Sequence, residues 1–293
     1  MKPRRLLKSN LLSRLCALDS SRYKRTLKKL EVLGKYETLE ELSHGKVSFS
    51  RFGEGEFRLL LQVDGTIYEK HSPEKAERLL KVITSPSQNL LLGVNASMCS
   101  RLQIHNLRKF LIGDKIPDKF YSMRSADDVA VFNRTRLILE QRQYIDSLST
   151  IPVRPKLGDS SCFTMSMYLE EYRDRRLNDV RQLLKAIFGK KRITLVSNNP
   201  SYVEFMKKKF YFDFKLEKHV EIPETDAYSR IDWIADSIIQ FAPKSDLILL
   251  QAGAVGTILA SELSEVLSCQ ILDIGLFRLP HSFLTPSTSE NSI

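Results

Sequence analysis

Residues 247–274 read LILLQAGAVGTILASELSEVLSCQILDI, and this stretch decides the fold. Leu247-Ile248-Leu249-Leu250 is a short, continuously apolar run, the pattern of a strand covered on both faces. Glycines at 253 and 256 interrupt it, residues 255–267 read as a helix, and Ile271-Leu272-Asp273-Ile274 is a second apolar run. Strand, helix and strand in such close succession form a right-handed βαβ unit, which makes the two strands parallel.

The same alternation extends upstream. Leu177, Val180, Leu183, Leu184 and Ile187 make a helical stripe that stops at Gly189. Ile193-Thr194-Leu195-Val196 is a strand, Asn199-Pro200 starts a helix, and His219-Val220-Glu221-Ile222 is a strand ending at Pro223. A helix carrying Ile231, Ile234, Ala235 and Ile238 follows, with Trp233 read as a core residue on its apolar face. Towards the N-terminus, Val47 to Phe52 alternates like a strand, and 54–63 reads as a helix ending at Asp64-Gly65. Ser72-Pro73 opens a helix to about residue 83, because proline suits the first helical position. Residues 89–94 are a short apolar strand, and Ser125 with Asp128 three positions on resembles a capping box opening a helix to 148. The segment 151–163, rich in Pro, Gly and Ser, reads as a loop.

Charge is unevenly placed. The 293 residues carry a net charge of +10, and residues 1–30 hold ten Lys or Arg against one acid, Asp19. The body is therefore nearly neutral, which argues against a groove that tracks nucleic acid. In the basic segment Leu7, Leu11, Leu15 and Leu18 share one helical face. That face suits a helix packed on its own domain or on a protein partner; the basic remainder also suits peripheral contact with anionic lipid. Four scattered cysteines without CxxC spacing fit a reducing cytosol. No apolar run approaches the roughly 18 residues of a membrane span, and the N-terminus has no signal-peptide pattern. The resulting division is a basic helical extension (1–35), one α/β domain with a mainly parallel sheet flanked by helices (36–284), and a disordered tail (285–293).

Ligands of open parallel sheets bind beyond the carboxyl ends of the strands. That rule selects Gly53-Glu54-Gly55-Glu56, Asn95, Ser197-Asn198, Glu224-Thr225-Asp226, Gln251-Ala252-Gly253 and the turn from Gly275. Glu54 and Glu56, one glycine apart on a strand-to-helix turn, can reach a single hard cation such as Mn²⁺ or Mg²⁺. Acids in a first helical turn also complement the helix dipole, worth roughly 0.3–1 kcal/mol each, and spacing alone leaves both readings open. Gly253-Ala254-Val255-Gly256 lacks a full GxGxxG, and no GxxxxGK[ST], HExxH or GxSxG is present.

The run Arg51-Phe52-Gly53-Glu54-Gly55-Glu56 resembles the RFGDGE signature of the GT-D-fold glycosyltransferases. Four further segments are similar to that family in order: 89–94, 222–228, 249–260 and 271–275. The resemblance implies a single Rossmann-like domain and transfer of a sugar from a nucleoside-diphosphate sugar, UDP-glucose being the known type of donor. The acceptor implied is a glycan or glycoprotein of bacterial surface-glycan assembly. Glu54 and Glu56 then correspond to the metal- and diphosphate-binding acid pair, with the Arg51 side chain and Gly53 backbone supporting the turn. Ser197, Asn198, Thr225, Asp226 and Tyr228 become nucleotide and sugar contacts. Gln251 and Gly253 fall on the diphosphate side, and Asp226 or Asp273 becomes the general base. The chain departs from the pattern at Glu54, where the family has Asp, at Asp226, where it has Asn, and at Leu276, where a His commonly follows. The other readings are a catalytically silent scaffold of a glycan-assembly complex and a different Rossmann-like nucleotide-binding enzyme.

Overall fold

The computed structural model describes residues 31–60, 69–84, 87–94, 156–160, 162–163, 177–210 and 212–275. Its strands are β1 (Glu31–Val32), β2 (Ser48–Phe52), β3 (Leu90–Val94), β4 (Lys156–Asp159), β5 (Arg192–Ser197), β6 (Lys215–Glu221), β7 (Leu247–Gln251) and β8 (Gln270–Asp273). They form one sheet in the order β1-β4-β3-β2-β8-β7-β5-β6, with every pairing parallel. The helices are α1 (Lys35–Ser43), α2 (Glu54–Leu60), α3 (Pro73–Thr84), α4 (Leu177–Phe188), α5 (Ser201–Phe210), α6 (Ile231–Phe241) and α7 (Ala254–Leu263).

Alternation along the strands divides the apolar side chains between two faces. In β7, Ile248 and Leu250 join a core with Leu79 and Ile83 of α3, Ile234 and Ile238 of α6, and Ile258 and Leu259 of α7. Leu247 and Leu249 face the other way, with Leu39 and Leu42 of α1, Leu184 and Phe188 of α4, and Val203 and Met206 of α5. The sheet is thus covered on both sides, as the continuous apolar runs require. Among the described residues no helix is long and apolar enough to cross a membrane.

The chain's path fixes where a ligand can enter. β5 leads through α5 outward to β6, whereas β7 leads through α7 back to β8. Opposite directions of travel put α5 and α7 on opposite faces, so a crevice opens between the carboxyl ends of β5 and β7.

The structure corrects several expectations. Lys156–Asp159 is a strand paired on both sides, by β1 and β3, rather than part of a loop. It carries one core side chain, Leu157, which is too little for alternation to register. Glu31–Val32 pairs with β4 and so belongs to the sheet, not to the extension. Trp233 is 50% exposed and stacks under Arg230, whose guanidinium lies 5.8 Å from the ring centre. The buried stripe of α6 is Ile231, Ile234 and Ile238, and Trp233 falls off it. The helix expected at 125–148, Asn95, the basic segment 1–30 and the tail 285–293 lie outside the described residues.

Candidate active site

Two adjacent places at the carboxyl end of the sheet collect the functional candidates. The first is the end of β2 and β8. Gly53 donates its N–H to Glu56 Oε2 at 2.7 Å, the backward arm of a capping box at the start of α2. Glu56 is buried, and Glu54 opens the helix two positions earlier. The spacing therefore does serve the helix terminus, at least through Glu56.

Asp273, at the end of β8, is 1% exposed. Its Oδ2 accepts the Arg51 N–H at 3.2 Å and its Oδ1 accepts the Gly275 N–H at 3.0 Å. Thr257 of α7 donates its hydroxyl to the Arg51 carbonyl at 2.7 Å, with Asp273 Oδ2 3.2 Å away. Ser50 Oγ donates to the Thr257 carbonyl at 2.9 Å, so α7 is latched to both strands. A hydroxyl has one proton. That proton goes to the nearer Arg51 carbonyl or to Asp273 Oδ2. Burial pushes the Asp273 carboxyl up to about 7, opposed by the Arg51 charge and reinforced by that of Glu56.

A raised folded pKa means that this group's stabilisation is full below the unfolded value near 3.8 and is lost as pH rises through 7. Between pH 5 and 8, metal-free wild type should lose stability relative to Asp273→Asn by up to about 1.4 kcal/mol per pH unit. Melting curves of both proteins in EDTA check this, and parallel pH profiles would refute it.

The Arg51 guanidinium lies against Gly275. A Cβ there would sit 2.6 Å from Arg51 Cζ, and the backbone has φ +71°, a conformation natural to glycine. A Cβ on Gly53 would lie 3.9 Å from Arg51 Nη2. The guanidinium is thus held between two glycine turns.

The second place is the β5/β7 crevice, a shallow cleft open to solvent. Asn198, Gln251, Ala252 and Gly253 line its base, Ile222, Pro223 and Ala227 its apolar wall, and Glu69 and Glu224 bring carboxylates. Gln251 is 1% exposed, and among the described residues neither its Nε2 nor its Oε1 has a hydrogen-bond partner; Asn198 Oδ1 has none there either. Gly253 adopts φ +54°, ψ −135° at the start of α7, with open space where a Cβ would stand.

The remaining candidates separate. Ser197 is fully buried, its hydroxyl donated to the Asn199 carbonyl at 2.9 Å, with His219 Nε2 3.1 Å away. Its chemistry is spent on the turn. Thr225 and Asp226 stand exposed at the rim, Asp226 in a left-handed conformation (φ +55°) before the turn Ala227–Arg230. Tyr228 is buried beneath them.

Sequence reasoning missed the group that holds this rim. Lys75 and Glu69 are 1% and 5% exposed and form an ion pair at 2.6 Å. Lys75 Nζ also donates to the Lys70 carbonyl at 2.6 Å and lies 4.7 Å from the centre of the Tyr228 ring. Glu69 Oε1 accepts the Tyr228 N–H at 3.3 Å. A signal existed: Lys75 occupies the buried stripe of α3 with Leu79, Val82 and Ile83. A lysine on an apolar stripe asks for a buried partner.

Comparison with known proteins follows from this geometry. A family model described as glycosyltransferase GT-D fold matches residues 97–281, more than half of the chain. The match begins after β3, so the β2 turn lies outside it. No curated protein matches. Three solved structures share the fold. A selenomethionine-substituted domain of unknown function 1792 superposes with TM-score 0.58 at 19% identity, over 91% of this chain and 81% of that one. A domain of the same kind, described as having a distinct glycosyltransferase fold, gives 0.58 at 20% identity, over 87% and 81%. A glycosyltransferase from Streptococcus sanguinis gives 0.59 at 19% identity, over 84% and 81%.

Proposed function

The chain belongs to the GT-D glycosyltransferase-fold family, and from that premise we propose a metal-dependent transfer from a nucleoside-diphosphate sugar, with a UDP-sugar such as UDP-glucose as donor. The acceptor in this reading is a glycan or glycoprotein of bacterial surface-glycan assembly. One observation carries it: the acidic turn at Glu54 and Glu56 stands at the carboxyl end of a central strand, beside Arg51. The β5/β7 crevice opens at the same end of the sheet.

The donor set fits a hard cation shared with substrate. Among the described residues no three His, Cys, Asp or Glu side chains form a ready metal cluster. Asp273 is turned inward and engaged, and Glu56 Oε2 already accepts the Gly53 N–H; Glu54 and Glu56 would hold the ion together with phosphate oxygens and water. This is the habit of Mg²⁺ and Mn²⁺ at phosphate sites. A divalent ion held by Glu54 and Glu56 would supply positive charge against the leaving diphosphate. Arg51, braced by Gly275, orients the diphosphate as a second positive group. Asp273 acts as a positioning residue through the Arg51 and Gly275 backbone.

The test is the double variant Glu54→Gln with Glu56→Gln. Glutamine can still accept the Gly53 N–H, as capping boxes tolerate it, so the fold is kept while the charge is removed. UDP-sugar hydrolysis or transfer with Mn²⁺ should fall at least about a hundredfold, or roughly 2.7 kcal/mol, at unchanged melting temperature. Wild-type turnover in that variant would remove the metal-binding role of the pair.

A further inference from the structure

We propose that the β5/β7 crevice takes the nucleoside of the donor. In this assignment the Gln251 carboxamide pairs with a ligand edge that sets a hydrogen-bond donor beside an acceptor, and Asn198 Oδ1 takes a further donor. The inference deepens the nucleotide-sugar reading above and rests on it.

Its first support is an unfilled hydrogen-bonding demand. A primary carboxamide offers two N–H donors and one carbonyl acceptor, and among the described residues Gln251 has no partner for Nε2 or Oε1 although it is 1% exposed. Buried polar groups in folded proteins are nearly always paired, and each exception calls for an explanation. Asn198 Oδ1 adds a second orphan on the same crevice. Register explains why the two meet: Ser197 of β5 pairs with Gln251 of β7, so the residue that follows Ser197 emerges beside Gln251. Leucine at 251 would fill the same space without the unmet hydrogen bonds, so the carboxamide costs the unliganded protein stability. Residues kept at such a cost characterise binding sites.

Charge and shape then choose the part of the donor. Glu224 stands exposed on the crevice, the Glu69 carboxylate is already paired with Lys75, and no Lys or Arg is among the described residues that line it. Such a lining offers a diphosphate no cation of its own and suits a neutral group with N–H or O–H donors. Ile222, Pro223, Ala227 and Ala252 supply apolar surface that suits the faces of a flat heterocycle. A hexose, with hydroxyls around its whole ring, would leave several of them unpaired there. Finally, the crevice between β7 and β5 lies between two and three strand spacings from the Arg51 turn in the order β2-β8-β7-β5. That is about 12 Å, comparable to the span from the far edge of a nucleobase to its diphosphate. The assignment moves Gln251 from the diphosphate side to the base, and leaves the diphosphate to the β2 turn.

Titration calorimetry of the full chain with uridine, guanosine, adenosine and cytidine 5′-monophosphates, pyrophosphate and glucose tests this. Wild type should bind at least one nucleoside monophosphate. Gln251→Leu should weaken that ligand at least about tenfold, leave pyrophosphate unchanged, and raise the melting temperature of the free protein. Should Gln251→Leu fail to fold, Asn198→Ala carries the same comparison. Unchanged nucleotide affinity in a folded Gln251→Leu or Asn198→Ala variant that still binds UDP-glucose overturns the proposal and leaves the transferase reading standing. Dependence of glucose, rather than nucleotide, on Gln251 overturns it in favour of a sugar subsite. No binding of any nucleotide or UDP-glucose by wild type overturns both.

Discussion

Lys75→Met should lower the unfolding free energy by about 3–5 kcal/mol, the cost of leaving one member of a buried ion pair without the other. Methionine matches the aliphatic stem, so packing against Leu79 and the Tyr228 ring survives and the loss isolates the charge. Glu69 would remain 5% exposed with its Oε2 stripped of the ammonium group now 2.6 Å away. The companion variant, Lys75→Met with Glu69→Gln, should recover most of the loss. A neutral amide needs no counter-ion, and its carbonyl can still accept the Tyr228 N–H. Urea unfolding of both variants gives the coupling energy of the pair. A single variant within 1 kcal/mol of wild type would show that the pair is not the clamp described here. Because the same pair ties the loop before α3 to the loop after β6, the single variant should also weaken donor binding at the crevice.

Why that pair escaped the sequence reading, while the sheet did not, has a physical reason. Strands β5, β7 and β8 are covered on both faces, so their apolar runs are continuous and stand out against the helices between them. The same logic fails at the margins. β6 begins at Lys215, four residues before the run that was legible at His219, because it is the outermost strand and its first residues are largely polar and solvent-facing. β4 is short and β1 is two residues long, and neither has room for a periodic pattern. Edge strands are defined by what they pair with, and pairing is not local in sequence.

The site divides in the same way. Strand ends are local features, so the carboxyl-end rule picked out the β2 turn, the Asn198 and Gln251 positions and the turn from Gly275. The rule says nothing of which way a polar group faces. Ser197 spends its hydroxyl within its own turn, and Asp273 faces inward to hold three elements together. The Asp273 assignment depends on neighbours hundreds of positions away: Ser50 and Thr257 are 207 residues apart, Arg51 and Asp273 are 222 apart. Glu56 shows one of the two roles directly and is proposed for the other. It closes the start of α2, as helix-terminus acids do, and it sits where a phosphate-linked cation would be wanted. The two readings left open by the spacing are compatible.

The Arg51–Gly275 contact yields the sharpest test of this arrangement. Gly275→Ala forces two penalties together. A left-handed backbone (φ +71°) costs a non-glycine residue about 1 kcal/mol or more, and the new methyl group would overlap the guanidinium, lying 2.6 Å from Cζ. The combined loss should be about 3 kcal/mol, and Arg51 must leave its place between the two glycine turns. In an Arg51→Ala background the methyl group meets no guanidinium, so the same substitution should cost only the backbone strain. The two changes are therefore predicted to be non-additive by at least about 1 kcal/mol in urea unfolding. Activity should follow the same logic. If Arg51 orients the diphosphate, Gly275→Ala should lower kcat/KM about as far as Arg51→Ala does, and the double variant should be no worse than either. Strictly additive losses in both stability and kcat/KM would mean that Gly275 acts on something other than Arg51, and the diphosphate assignment to this turn would fall with it.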